Sequence, residues 1–154
     1  MNVESMYQEI ILDHYKNPRG KGRLDSAAAE SHQVNPTCGD EVTVQVATDD
    51  SGRLRVGYEG QGCSISQASA SVMAEMVEGL DPKAAEEIRA AFLELMHSRG
   101  DAEPDEDILG DGVAFAGVAK YPARIKCALL PWMALQDAEV KAGITVTVEG
   151  ETRS

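Results

Sequence analysis

Long apolar stretches are missing from this 154-residue chain: the longest, Cys127 to Leu135, is too short to cross a bilayer and contains Pro131. The opening Met-Asn-Val-Glu-Ser-Met has no basic segment followed by an apolar one, so no secretory signal is expected. Positive charge is scarce as well, with Lys and Arg totalling 14 against 26 acidic residues and a formal net charge of −12. A field of that sign repels phosphate backbones and anionic lipid, which makes nucleic acid and membranes poor partners. Cysteine is limited to three residues. An odd number spread along a chain that we expect in the reducing cytoplasm does not form a disulfide framework, so each cysteine reads as ligand, nucleophile or packing.

What is present fits one globular domain: 43% hydrophobic and 26% charged residues, with 5% aromatics limiting the core to a modest size. We expect that domain over residues 1–142. The tail over 143–154 reads either as an edge strand, because Ile144, Val146 and Val148 alternate, or as a frayed end. Ser5 with Gln8 forms a capping-box pattern, and Tyr7, Ile10, Ile11, His14 and Tyr15 recur at helical spacing up to the stop at Pro18. The basic loop Arg19 to Arg23 and the small residues Ala27 to Ala29 carry little information.

Val42, Val44 and Val46 alternate, and Leu54, Val56 and Tyr58 repeat the pattern after the turn Asp49-Asp50-Ser51-Gly52, the mark of an antiparallel hairpin. With Gly52 left-handed, the expected register sets Val46 against Leu54, Val44 against Val56 and Val42 against Tyr58; a slide of two residues also keeps both sets on one face. Three further helical stripes follow: Ile65 to Met76, Ile88 to Met96 between Asp81-Pro82 and Gly100, and Ile125 to Met133. Asp101 to Asp111 reads as an acidic, mobile loop. Helical stripes that need cover and a small sheet predict an α+β fold, a small antiparallel β-sheet with helices packed on one face.

Cys38-Gly39-Asp40 lies just before the first hairpin strand, and Gly60-Gln61-Gly62-Cys63 just after the second. The hairpin therefore returns Cys63 to the neighbourhood of Cys38 and Asp40. Residues two apart on an extended segment share a side, so Cys38 and Asp40 can reach one ion, with Gly39 supplying the bend. Cys63 also opens a helix, whose positive end favours a thiolate. Cys127 sits on the last helix, with Arg124 one turn earlier. Three thiolates and one carboxylate match the tetrahedral preference of Zn2+, and Arg124 or Lys126 would offset part of the excess negative charge. Bland readings stand beside these: Cys127 alone is a packing thiol, Asp40 a turn cap, and Arg124 and Lys126 a solvated helix face. The histidines are weaker. His14 reads as a satisfied inward residue, His97 as a helix-end cation, and His32 as a minor ligand candidate.

Four segments then carry a resemblance: Asp13-His14-Tyr15-Lys16-Asn17-Pro18-Arg19, Asn35-Pro36-Thr37-Cys38-Gly39-Asp40, Gly60-Gln61-Gly62-Cys63-Ser64-Ile65-Ser66, and Tyr121-Pro122-Ala123-Arg124-Ile125-Lys126-Cys127-Ala128. From about Met6 to Ala142 the chain resembles the SufU family of the wider IscU/NifU-type iron–sulfur assembly superfamily. Lys126, where IscU-type scaffolds carry a histidine, and the added helix and loop between Cys63 and Cys127 point to SufU. The resemblance implies an IscU-type fold, the ligands Cys38, Asp40, Cys63 and Cys127, and Cys38 as the sulfur acceptor. It also implies Zn2+ as cofactor, a SufS-type PLP cysteine desulfurase as partner, and relay of its sulfur to downstream Suf cluster-assembly proteins. The expected activity is zinc-dependent sulfurtransferase. Two other readings stay open: a scaffold that builds a cluster on the same cysteines, and an interaction module with a purely structural metal.

Overall fold

The computed structural model describes residues 3–144, 147–148 and 151–152. Helix α1 spans Val3–Lys16, and three strands follow: β1 Ala29–Asn35, β2 Asp40–Thr48 and β3 Leu54–Gln61. Then come α2 Ser64–Val77, α3 Pro82–His97, the short α4 Glu106–Leu109, two 3-10 turns at Gly110–Ala116 and Val118–Lys120, and α5 Pro122–Lys141. Two short strands, β4 Thr147–Val148 and β5 Glu151–Thr152, pair with each other, apart from the β1-β2-β3 sheet. The expected alternation through Val146 lies outside the described residues.

The fold is α+β, as expected, with the antiparallel order β1-β2-β3. Its inward face carries Val42, Val44 and Val46 of β2 and Leu54, Val56 and Tyr58 of β3, all buried, and α5 and α2 close over it. Trp132 of α5 forms the centre of the helical layer: its ring stacks on Phe92 with centroids 4.7 Å apart, and its Nε1 donates to Ser69 Oγ at 3.0 Å. Burying rings of this size removes about 150–250 Å² each from water, which makes them dominant contributors to a core with few aromatics.

Several expectations are corrected. The β2–β3 register is the alternative one, with Val46 opposite Val56, Val44 opposite Tyr58 and Val42 opposite Gly60. The turn decides it. Asp49 Oδ1 accepts from the backbone N–H of Ser51 and of Arg53, each at 2.9 Å, closing a loop that leaves Thr48 opposite Leu54. Gly52 is left-handed at φ +82°, as anticipated. Helix α1 is already under way at Val3, so Ser5 lies inside it and is no cap. The acidic segment is not loop throughout, because Asp105 caps α4 and Asp111 lies in a 3-10 turn bonded to His14. The sequence reading missed β1 altogether. Pro131 sits buried inside α5 without ending it, and the neighbouring Ala128 carbonyl accepts a bond from Ser69 Oγ at 2.5 Å.

Candidate metal centre

Hydrogen bonding first places Cys38. Asn35 and Asp40 pair across β1 and β2, so residues 36–39 form the tight turn between those strands, with the Cys38 N–H bonded to the Asn35 carbonyl at 3.2 Å and Gly39 left-handed at φ +70°. Cys38 thus occupies a hairpin tip, not the extended segment anticipated, and it approaches Asp40 because the turn folds it back. Cys38 itself is half-buried, while Pro36, Thr37 and Gly39 around it are exposed.

Asp40, the first residue of β2, is 1% exposed. Its Oδ1 accepts the Cys63 backbone N–H at 2.7 Å, and its Oδ2 stands 3.6 Å from Cys63 Sγ. That approach requires glycine at position 62, opposite Asp40: φ is +144°, and a Cβ there would overlap the Asp40 carboxylate and come within 2.8 Å of its Cα. Cys63 occupies the N-cap position of α2, its side chain unused for capping, with Sγ 3.9 Å from Ser66 Oγ. The positive end of a 14-residue helix therefore lies at this sulfur.

Cys127, fully buried on α5, brings its thiol 3.2 Å from Cys38 Sγ. It also lies 3.7 Å from the Ala123 carbonyl and receives Asn35 Nδ2 at 3.8 Å. One ligand atom each from Cys38, Asp40 and Cys127 fall within 4.8 Å of one another, and Asp40 links Cys63 to the group. Burial pushes the Cys127 thiol well above its ordinary range, and the neighbouring Cys38, Asp40 and Cys63 push it further. So many electron-rich groups in one place suit a cation.

The family model for the NifU-like N-terminal domain matches residues 6–128. The chain belongs to that family. It is 43% identical over 142 residues to the "Zinc-dependent sulfurtransferase SufU" of Bacillus subtilis, covering 91% of this chain and 93% of the relative. It is also 38% identical to the "Iron-sulfur cluster assembly scaffold protein IscU" of Streptococcus pyogenes, over 88% and 84% of the two chains. A crystal structure of the N-terminal part of a NifU-like protein from Brucella abortus superposes with a TM-score of 0.80 at 27% identity, covering 92% of this chain and 96% of that one. Membership places the chain among iron–sulfur cluster assembly proteins.

Arg124 and Lys126 are exposed and, among the described residues, make no ion pair with the cluster. Arg124 borders an open groove of about 580 Å³ together with Tyr7, Ile11, Ile65 and Tyr121. No membrane-spanning helix exists among the described residues. His32 lies exposed on β1, with Nδ1 at 2.8 Å from Thr43 Oγ1, and is not part of the group formed by Cys38, Asp40 and Cys127. His14 is fully buried: its Nδ1 meets Ser71 Oγ and its Nε2 meets Asp111 Oδ2, both at 2.8 Å, which ties α1 to α2 and to the 3-10 turn. The sequence reading missed Ser71, Asp111 and the bond of Asn35 to Cys127. Asn35 stood within a quoted motif, yet nothing in its spacing revealed what its amide would meet.

Proposed function

We propose that the chain is a cytoplasmic, zinc-dependent sulfurtransferase, formed by the domain over residues 1–142. It accepts persulfide sulfur from a SufS-type PLP cysteine desulfurase and relays it to Suf cluster-assembly proteins. The observation that carries this reading is the meeting of Cys38, Asp40 and Cys127 within 4.8 Å, with Cys63 beside Asp40. Three sulfurs and one carboxylate oxygen fit Zn2+, which favours four-coordinate sites rich in thiolate. Cys38, Asp40, Cys63 and Cys127 would hold the ion. Bound there, it supplies charge that keeps the cysteines as thiolates without redox chemistry of its own.

Cys38 acts as acceptor because it is half-buried on a turn, whereas Cys127 is sealed inside α5. Its thiolate attacks the outer sulfur of the desulfurase persulfide. A Cys38–sulfur bond forms, the sulfur–sulfur bond on the desulfurase breaks, and the desulfurase cysteine departs as thiolate. No oxidant is consumed. Arg124 and Lys126, exposed on the first turns of α5 and unpaired with the cluster, offer positive charge to the incoming persulfide anion.

Mass spectrometry of Cys38 after mixing with a desulfurase and cysteine tests the role. A mass increase of one sulfur atom on Cys38 is expected, and Cys38→Ala should abolish stimulation of desulfurase turnover. A Cys38→Ala protein that still accelerates sulfur release refutes it. The scaffold name of the Streptococcus pyogenes relative supports a second reading, in which the same cysteines carry a cluster. Protein purified without air decides between them: stoichiometric zinc without cluster absorbance favours transfer, and cluster absorbance favours the scaffold.

A further inference from the structure

We propose that Asn35 is a positioning residue that makes Cys127 the holding ligand of the cluster and leaves Cys38 as the sulfur that reacts. The proposal rests on the sulfur-transfer reading above. Two sulfurs lie 3.2 Å apart in one donor set, and a relay needs only one of them to be nucleophilic. Asn35 touches both cysteines. Its carbonyl accepts the Cys38 N–H at 3.2 Å and fixes the turn, while its side-chain Nδ2 reaches the Cys127 sulfur at 3.8 Å.

An N–H donor aimed at a thiolate withdraws electron density from sulfur, and the effect is strongest where water is excluded. Asn35 is 8% exposed and Cys127 fully buried, so water does not compete for this contact. Among the described residues no N–H donor reaches the Cys38 sulfur, whose only sulfur contact there is the Cys127 thiol. One side chain thereby distinguishes two chemically equal ligands: Cys127 is quietened and anchored, while Cys38 keeps its electron density on a turn that Gly39 lets bend. The amide also supplies a favourable dipole to a site with more negative than positive charge.

The test uses the full chain loaded with Co2+ in place of zinc, with Asn35→Asp, which keeps the shape but has no N–H, and Asn35→Leu. Loss of the N–H contact should move the sulfur-to-cobalt charge-transfer band to lower energy, a change that packing alone does not cause. In parallel, limiting iodoacetamide followed by peptide mass spectrometry locates alkylation. The unmodified protein should label at Cys38 in preference to Cys127 by at least about tenfold, and both variants should lower that ratio several-fold. Equal labelling of the two cysteines in the unmodified protein overturns the proposal, as do an unmoved band and ratio in the variants. Neither readout involves a desulfurase. Failure of Cys38 to take up sulfur, with the band and ratio behaving as expected, would instead count against the sulfur-transfer reading.

Discussion

The carboxylate of Asp40 serves Cys63 twice, accepting its backbone N–H through Oδ1 at 2.7 Å and facing its sulfur through Oδ2 at 3.6 Å. The start of β2 and the start of α2 are therefore locked together by a group of the proposed donor set. Disturbing it should cost both fold and metal.

Gly62→Ala tests that coupling. The new Cβ would overlap the Asp40 carboxylate at a φ of +144°, which side chains rarely adopt. A penalty of about 1–3 kcal/mol is expected for the strained backbone. Thermal melts should show a lowered midpoint, and elemental analysis should show substoichiometric metal. Full zinc occupancy at unchanged affinity would show that Asp40 has room to move.

Metal removal should destabilise the protein. An ion bound only by the folded chain adds about 4 kcal/mol at a thousandfold excess over its dissociation constant. Dialysis against a chelator should lower the unfolding midpoint in urea, and zinc should restore it. The Cys127 thiol, pushed up by burial in the metal-free chain, must lose its proton on binding, so affinity should rise with pH. Calorimetry in two buffers of different ionisation enthalpy counts the protons released.

Glu139 should set a pH dependence of stability remote from the cysteines. Burial, reinforced by the nearby Glu86 charge and opposed by Arg89, raises its carboxyl from 4.5 to about 7. Because the folded value exceeds the unfolded one, the stabilisation is complete below pH 4.5 and is lost as pH rises through 7. The loss is on the order of 3 kcal/mol from a shift of this size. Glu139→Gln, which stays neutral, should melt higher than the unmodified chain at pH 8 and close to it at pH 5. Parallel curves at both values would contradict this.

His14→Ala should loosen α1. The buried imidazole bridges Ser71 and Asp111, and its loss removes both bonds and a fully buried ring, at a cost of about 2–3 kcal/mol even though Ser71 keeps the Arg19 N–H and Asp111 reaches water. Urea denaturation measures the drop. Hydrogen exchange should rise in α1 and in the 3-10 turn that carries Asp111 before it rises in the sheet.

The hairpin strands were legible because their inward residues are all apolar at alternate positions. Their register was not, since a slide of two keeps every side chain on its face and only the Asp49 turn selects between the two. Strand β1 was hidden for the opposite reason. Its inward positions Ser31, Gln33 and Asn35 are polar, while Val34 points outward and is 52% exposed. Ser31 bonds Asp137 of α5 at 2.6 Å, a partner 106 residues away that no local pattern announces. In α5 the anticipated stripe is half right: Ala128 and Trp132 are buried, but Met133 is 42% exposed and Leu135 takes its place inside. The cysteines and Asp40 could be grouped from the hairpin and the resemblance together. The turn that presents Cys38 and the amide that meets Cys127 required coordinates.

Eighty-nine residues separate Cys38 from Cys127 along the chain, although their sulfurs are neighbours. During synthesis the hairpin and α2 emerge with Cys38, Asp40 and Cys63 while the fourth group is still to be made. The cluster of donor atoms is completed only when α5 has left the ribosome and packed against β1. If these four groups hold the ion as proposed, its capture is a late event of biogenesis, and a nascent chain stalled before α5 should hold it poorly.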